Sequence, residues 1–166
     1  MAETLRQQIL RRHEALRTER APWLKHWQDV SKLVMPASGR FISSDRKPAK
    51  FNDIYDNTAT RAMRTLAAGL MSGMTSPARP WFKLATPDPE LMKYHPVKVW
   101  LDEVAKIIHA IFHGSNTYRA LHAMYEELAV YGTAASVIEI DYQNIIHHHP
   151  LTAGEYCIAT NFRGEV

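Results

Sequence analysis

Residues 56–84 read DNTATRAMRTLAAGLMSGMTSPARPWFKL, and the fold turns on how this stretch is taken. Its apolar run, Leu66 to Met74, is interrupted by Ser72 and preceded by Arg61 and Arg64, so it falls far short of the ~20 apolar residues a bilayer requires. Asp56, Asn57 and Thr58 are N-cap residues, and Ala59, Ala62, Met63, Leu66, Ala67, Leu70, Met71 and Met74 then keep a three-to-four spacing. That spacing predicts one helix with a long apolar face. Gly69 and Gly73 sit one turn apart and cost about 1 kcal/mol each relative to alanine, which points to close approach of another helix backbone. Pro77 and Pro80 end the helix, and Trp81-Phe82 can plug the apolar surface where the chain turns. Leu66, Gly69, Leu70, Gly73, Met74, Trp81 and Phe82 are therefore the expected packing face.

Upstream, Leu5, Ile9, Leu10 and Leu16 mark one side of a weakly amphipathic helix. Ala21-Pro22 is read as a restart, after which Trp23, Leu24, Trp27, Val30 and Val34 form a second stripe ending before Pro36. ASGRFISSDRKPAK, residues 37–50, has no period and reads as a loop or ordered arm. Downstream, His95-Pro96 opens a helix with Val97, Trp100, Leu101, Val104, Ile107, Ile108, Ile111 and Phe112 inward until Gly114. Ser115 and Asn116 cap the next, which turns Tyr118, Leu121, Tyr125, Leu128 and Ala129 inward until Gly132. The two predict a helical hairpin.

Beyond Gly132 the period shortens to two, in ASVIEIDY, IIHHHPL and EYCIAT, with turns expected at Gln143-Asn144 and at Asn161 to Gly164. The fold class that follows is α+β: about five helices over residues 1–132, then a partial, mostly antiparallel sheet over 133–166. A strand pair left at an edge cannot bury both faces, so the chain is expected to be the N-terminal part of something longer.

Composition narrows the function classes. The 46 % hydrophobic content of 166 residues supports one packed domain and argues against wholesale disorder. The N-terminus MAETLRQQILRRHEALRTER alternates charges and lacks the apolar core of a signal peptide. Cys157 is the one cysteine, which excludes an internal disulfide and suits a reducing compartment. Eleven Lys/Arg against five Asp/Glu fall in residues 1–50, a net +6, and nine against twelve in residues 51–166, a net −3. The basic arm, with Arg40, Arg46, Lys47 and Lys50, is the candidate contact for DNA phosphate or an acidic partner.

Catalytic signatures fail one by one. His147, His148 and His149 could set two imidazoles on one ion from one strand face, but no third or fourth ligand is evident. His109 and His113 have metalloprotease spacing without a glutamate between them. Asp102-Glu103 and Glu126-Glu127 read as solvated helix faces, and Glu139 with Asp141 as the polar face of a strand. Cys157 has no cationic activator nearby in sequence, and no phosphate loop or dinucleotide fingerprint occurs. No catalytic, cofactor or metal residue is assigned.

Five blocks carry a likeness that no single motif does: Ala21-Pro22-Trp23 with Trp27 and the Pro36 break; Asp56 to Leu84; VKVWLDEV from Val97; SNTYRALHAMYEELAVYGTAASVIE from Ser115; and the ending GEYCIATNFRGEV. Together they resemble the portal, or head-to-tail connecting, proteins of short-tailed bacteriophages over nearly the whole chain. The resemblance implies a ring of about twelve copies at one capsid vertex, around a channel for packaging and ejecting double-stranded DNA. It also implies docking of terminase, scaffold or capsid, and tail proteins, no membrane, residence in the virion and assembly in the host cytoplasm. This chain would form the wing-like part, and no enzyme activity is expected of it. Portals of this family run to several hundred residues, so the channel-lining part would lie outside this sequence. Two alternatives stay open: a standalone nucleic-acid-binding or adaptor module using the basic N-terminal half, and a metal hydrolase built on His147 to His149.

Overall fold

The computed structural model describes residues 4–36, 38, 39, 41 and 55–165. Among these residues four α-helices precede one two-stranded antiparallel sheet, an α+β arrangement: α1 (Leu5–Val34), α2 (Thr58–Met74), α3 (His95–Gly114), α4 (Thr117–Tyr131), β1 (Ala135–Asp141) and β2 (Ile145–Leu151). A short 3₁₀ turn, Leu91–Lys93, lies between α2 and α3.

The expected fifth helix is absent because α1 does not break at Pro22; one helix of 30 residues runs through it. Pro22 has no N–H to donate to the preceding turn, a defect worth about 3 kcal/mol in a helix interior. Packing on the following turns offsets it: Trp27 meets Trp23 (ring centroids 6.2 Å) and the edge of Tyr131 (6.3 Å), and buried Ser31 donates to the carbonyls of Met35 (3.2 Å) and Ser38 (3.0 Å). At the other end a capping box starts the helix, with the Gln7 N–H donating to the Thr4 hydroxyl and the Thr4 N–H to the Gln7 amide.

α2 begins as expected, with the Asp56 carboxylate accepting the Thr58 N–H at 3.1 Å. The bonds from Thr58 hold the Asp56 carboxyl below its ordinary range. The helix stops at Thr75, whose buried hydroxyl meets the Tyr125 hydroxyl at 3.0 Å, just ahead of Pro77. Pro96 lies in the first turn of α3, and Gly132 ends α4 with φ +73°, donating its N–H to the Leu128 carbonyl.

The inward faces differ from the expected ones. α3 buries Leu101 and Ala105, while Trp100 and Ile107 are exposed. α4 buries Thr117, Ala120, Glu127 and Tyr131, a three-to-four stripe beside the predicted one, and exposes Leu128. Small and polar residues make the close contacts there, which a count of apolar positions passes over.

The chain forms two compact units from interleaved stretches. One takes the described residues of Met1–Met63, with Glu127–Ala135 and Leu151–Val166; the other takes Arg64–Glu126 and Ser136–Pro150. In the first, Trp27 and Phe41 both set their rings edge-on to Tyr131. In the second, Trp81, Phe82, His109 and Phe112 form the aromatic cluster.

β1 and β2 turn through residues 142–144, where the expected Gln143-Asn144 turn is found. The Asp141 carboxylate accepts the Gln143 N–H (2.9 Å) and the Asn144 amide (3.1 Å), bonds that hold its carboxyl below the ordinary range. Ile145 follows with φ +72°, strained for a β-branched residue. EYCIAT, expected as a third strand, is not part of the sheet, though the turn after it forms, with Asn161 and Gly164 bonded at 3.0 Å.

Candidate functional site

The expected packing face on α2 divides along its length. Met63 and Ala67 are buried and Leu70 and Met71 half-buried, but Leu66 is 52 % and Met74 60 % exposed. Gly69 and Gly73 look onto open space, since an added Cβ at either meets nothing within 4 Å. Among the described residues, then, no backbone of this chain uses the approach the glycines permit.

Trp81 and Phe82 sit differently, half-buried and gripped. Phe82 stacks on His109 with centroids 4.3 Å apart, Trp81 lies parallel to Phe112 at 6.1 Å, and the Trp81 indole N–H donates to the Tyr118 hydroxyl at 3.4 Å. Two proline-flanked aromatics thus fasten the segment after α2 onto α3 and the start of α4.

That packing also accounts for His109 and His113. The first stacks on Phe82 and the second tilts against Tyr118 at 5.0 Å, so each serves the aromatic cluster. Of the triple histidine, His148 is buried, and its main chain is clamped by the Asn116 amide, which accepts the His148 N–H (2.8 Å) and donates to its C=O (2.7 Å). Burial, and then the neighbouring His147, hold the His148 imidazole below its ordinary value. His147 and His149 share the opposite face with rings 4.5 Å apart, and His149 Nε2 lies 3.3 Å from a Glu139 oxygen. Among the described residues no group of three or more His, Cys, Asp or Glu is placed to hold a metal ion.

Glu127 departs from the expected solvated face. Its carboxylate is buried and accepts from the hydroxyls of Ser38 and Thr152 (2.8 Å to the latter) and from the Ala153 N–H (3.0 Å). The Thr152 hydroxyl also takes the Gly39 N–H at 2.8 Å. One side chain therefore ties the end of α4 to two distant loops. The sequence signal was its spacing of seven from Ala120 and four from Tyr131, which puts it on their side of the helix.

Close by, the Arg20 guanidinium donates to the Tyr156 carbonyl, and the Tyr156 hydroxyl donates to Thr133 at 3.2 Å. Burial pushes the Tyr131 and Tyr156 hydroxyls up from their ordinary value. A groove of about 300 Å³ opens here, lined by Leu16, Trp23, Trp27 and Ile158 among others. Arg40, Arg46, Lys47 and Lys50, the expected contacts for DNA or an acidic partner, lie outside the described residues.

Among the described residues these side chains hold segments of the chain together, and the apolar side chains of Leu66 and Met74 are left exposed. The chain belongs to the bacteriophage head to tail connecting protein family, whose model matches residues 6–166. It is 52 % identical over 169 residues to a probable portal protein of Bordetella phage BPP-1 and 43 % identical over 168 residues to the portal protein of Salmonella phage epsilon15. Each match covers 100 % of this chain and 30 % of the relative, so the chain spans less than a third of their length.

Proposed function

We propose that this chain supplies the wing-like, N-terminal part of a portal subunit, with residues 1–132 as its helical region and 133–166 as the start of its sheet. About twelve such subunits ring one capsid vertex around a channel through which DNA is packaged and later ejected. Terminase docks there during packaging, and scaffold or capsid and tail proteins contact the same ring. The protein is assembled in the host cytoplasm and stays in the virion. Its contribution is geometry and binding, with Leu66, Gly69, Leu70, Gly73 and Met74 as subunit contact and Arg40, Arg46, Lys47 and Lys50 meeting a neighbour or DNA. The observation that carries this reading is likeness along the whole chain to two portal proteins. Immunogold labelling of virions with an antibody to this chain tests it: label at one vertex per particle is expected, and label at every vertex or none overturns it.

A second reading rests on α1, which exposes Arg6, Arg11, Arg12 and Arg17. As a nucleic-acid-binding module the chain would bind duplex DNA with an affinity falling steeply as salt rises, the log-log slope counting its phosphate contacts. A flat salt dependence removes that reading.

A further inference from the structure

Among the described residues, the outer edge of one strand and residues 157–160, which lie outside any helix or strand, are left without main-chain hydrogen bonds. The outer edge of β2 is closed, because the Asn116 amide takes both main-chain groups of His148, the Ile146 N–H turns back to the Asn144 carbonyl at 2.8 Å, and Pro150 has no N–H. Alternate residues of a strand present their main-chain groups to the same edge, so these three account for every donor on that side. β1 is the opposite case. Among the described residues none of its main-chain groups bonds outside the hairpin. Val137, Ile138 and Ile140 are exposed, Ile140 to 82 %, and the strand carries no Lys, Arg or Pro of the kind that keeps edges unpaired.

Residues 156–160 answer that edge. Tyr156 is anchored through its carbonyl by Arg20 and through its hydroxyl by Thr133, and the turn from Asn161 fixes the far end, where the Asn161 N–H donates to the Glu165 carbonyl at 2.8 Å. Between those anchors, residues 157–160 lie outside any helix or strand and make no main-chain hydrogen bond among the described residues. A segment held in place beforehand loses little freedom on pairing. Tyr-Cys-Ile-Ala-Thr holds no charge and no proline, so it brings no like charge to Glu139 and Asp141 and no missing donor to a ladder.

We propose that residues 156–160 of one copy add as a strand to the outer edge of β1 of a second copy. The inference rests on the reading of the chain as part of an assembling connector and names the contact through which copies join. Main-chain hydrogen bonds supply the affinity, as in other strand additions. Edge and strand are different surfaces, so the contact is heterologous and repeats head to tail, as a ring requires.

Native Cys157 provides the probe. Chains retaining Cys157 are mixed, under mild oxidation, with differently tagged chains carrying Cys157→Ser together with Val137→Cys, Ile138→Cys or Ile140→Cys in turn. A disulfide between the two kinds of chain is expected for at least one position. Its absence from all three, or links only between like chains, overturns the proposal. Sedimentation velocity on the unmodified chain separates the two levels: association without the mixed link, or a monomer at every concentration, removes strand addition and leaves the connector reading standing, which the single-vertex immunogold label decides. Ile158→Pro and Ala159→Pro sharpen the test. By alternation one of the two deletes a donor facing the added edge, so one is expected to weaken association about tenfold and the other to leave it, with unchanged circular dichroism. Equal behaviour of the two overturns the proposal.

Discussion

Glu127 and Leu66 both sit mid-face on helices of similar length, α4 of 15 residues and α2 of 17, yet their surroundings are opposite. The Glu127 carboxylate is buried with three donors converging on it, whereas Leu66 is half bare and the glycines that follow it face open space. A charge in the interior and a leucine outside invert the usual partition, and each inversion needs its own cause. For Glu127 the cause lies within the chain: it joins loops that have few apolar residues to pack. For Leu66 no cause is found among the described residues, and that exposure is the observation behind the proposed subunit contact.

The sharpest way to break this comparison is to remove the buried carboxylate. Glu127→Ala leaves the Ser38 and Thr152 hydroxyls and the Ala153 N–H without their acceptor and is expected to cost about 3 kcal/mol in urea unfolding. Glu126→Ala, whose partner His122 is 3.9 Å away at the surface, should cost less than about 0.5 kcal/mol. Equal effects would show that the two neighbours are not in different environments.

Asn116→Ala comes next. It withdraws both bonds to the His148 main chain, which predicts a loss of about 2 kcal/mol and faster hydrogen exchange at the His148 amide. Unchanged exchange there would mean that the edge of β2 is protected by something else.

Ile145→Gly should act the other way. It releases a β-branched residue from φ +72° at a largely exposed site, so a gain of about 1 kcal/mol is expected, read as a raised melting temperature. A loss would show that the isoleucine side chain matters more than its backbone strain.

The smallest effect is expected from His148. Its imidazole is held below the ordinary value by burial first and by His147 second, so both folded and unfolded chains are neutral there above about pH 6.5. Below that pH the unfolded chain takes up the proton first, and stability falls as pH drops toward the folded value. His148→Asn should flatten that part of the pH profile; an unaltered slope would assign it to another group.

Much of the fold could be read from the residues alone. Helix α2, the stop at Pro77, Gly132 at the end of α4 and the turns at Gln143-Asn144 and Asn161 to Gly164 all depend on local chemistry, which a sequence carries directly. What escaped was non-local. Pro22 reads as a break unless the Trp27–Tyr131 contact across the chain is known to hold the next turns. Asn116 reads as a cap, but Ser115 accepts the Thr117 N–H at 3.3 Å and frees the Asn116 amide for His148, 32 residues away. Glu127 reads as solvated because its acceptors' partners, Ser38 and Thr152, belong to loops without periodicity. EYCIAT has the alternation of a strand, but alternation cannot name the edge it pairs with, and the one sheet among the described residues does not receive it.

The contrast between a sealed interior and an open face is tested most directly by changing Leu66→Ser and Met74→Ser together and reading stability and self-association on the same sample. The prediction is urea unfolding within about 0.5 kcal/mol of the parent, as for surface positions, with association in sedimentation velocity weakened at least about tenfold. A loss of about 2–3 kcal/mol with association unchanged would place those side chains in this chain's own core and contradict the account.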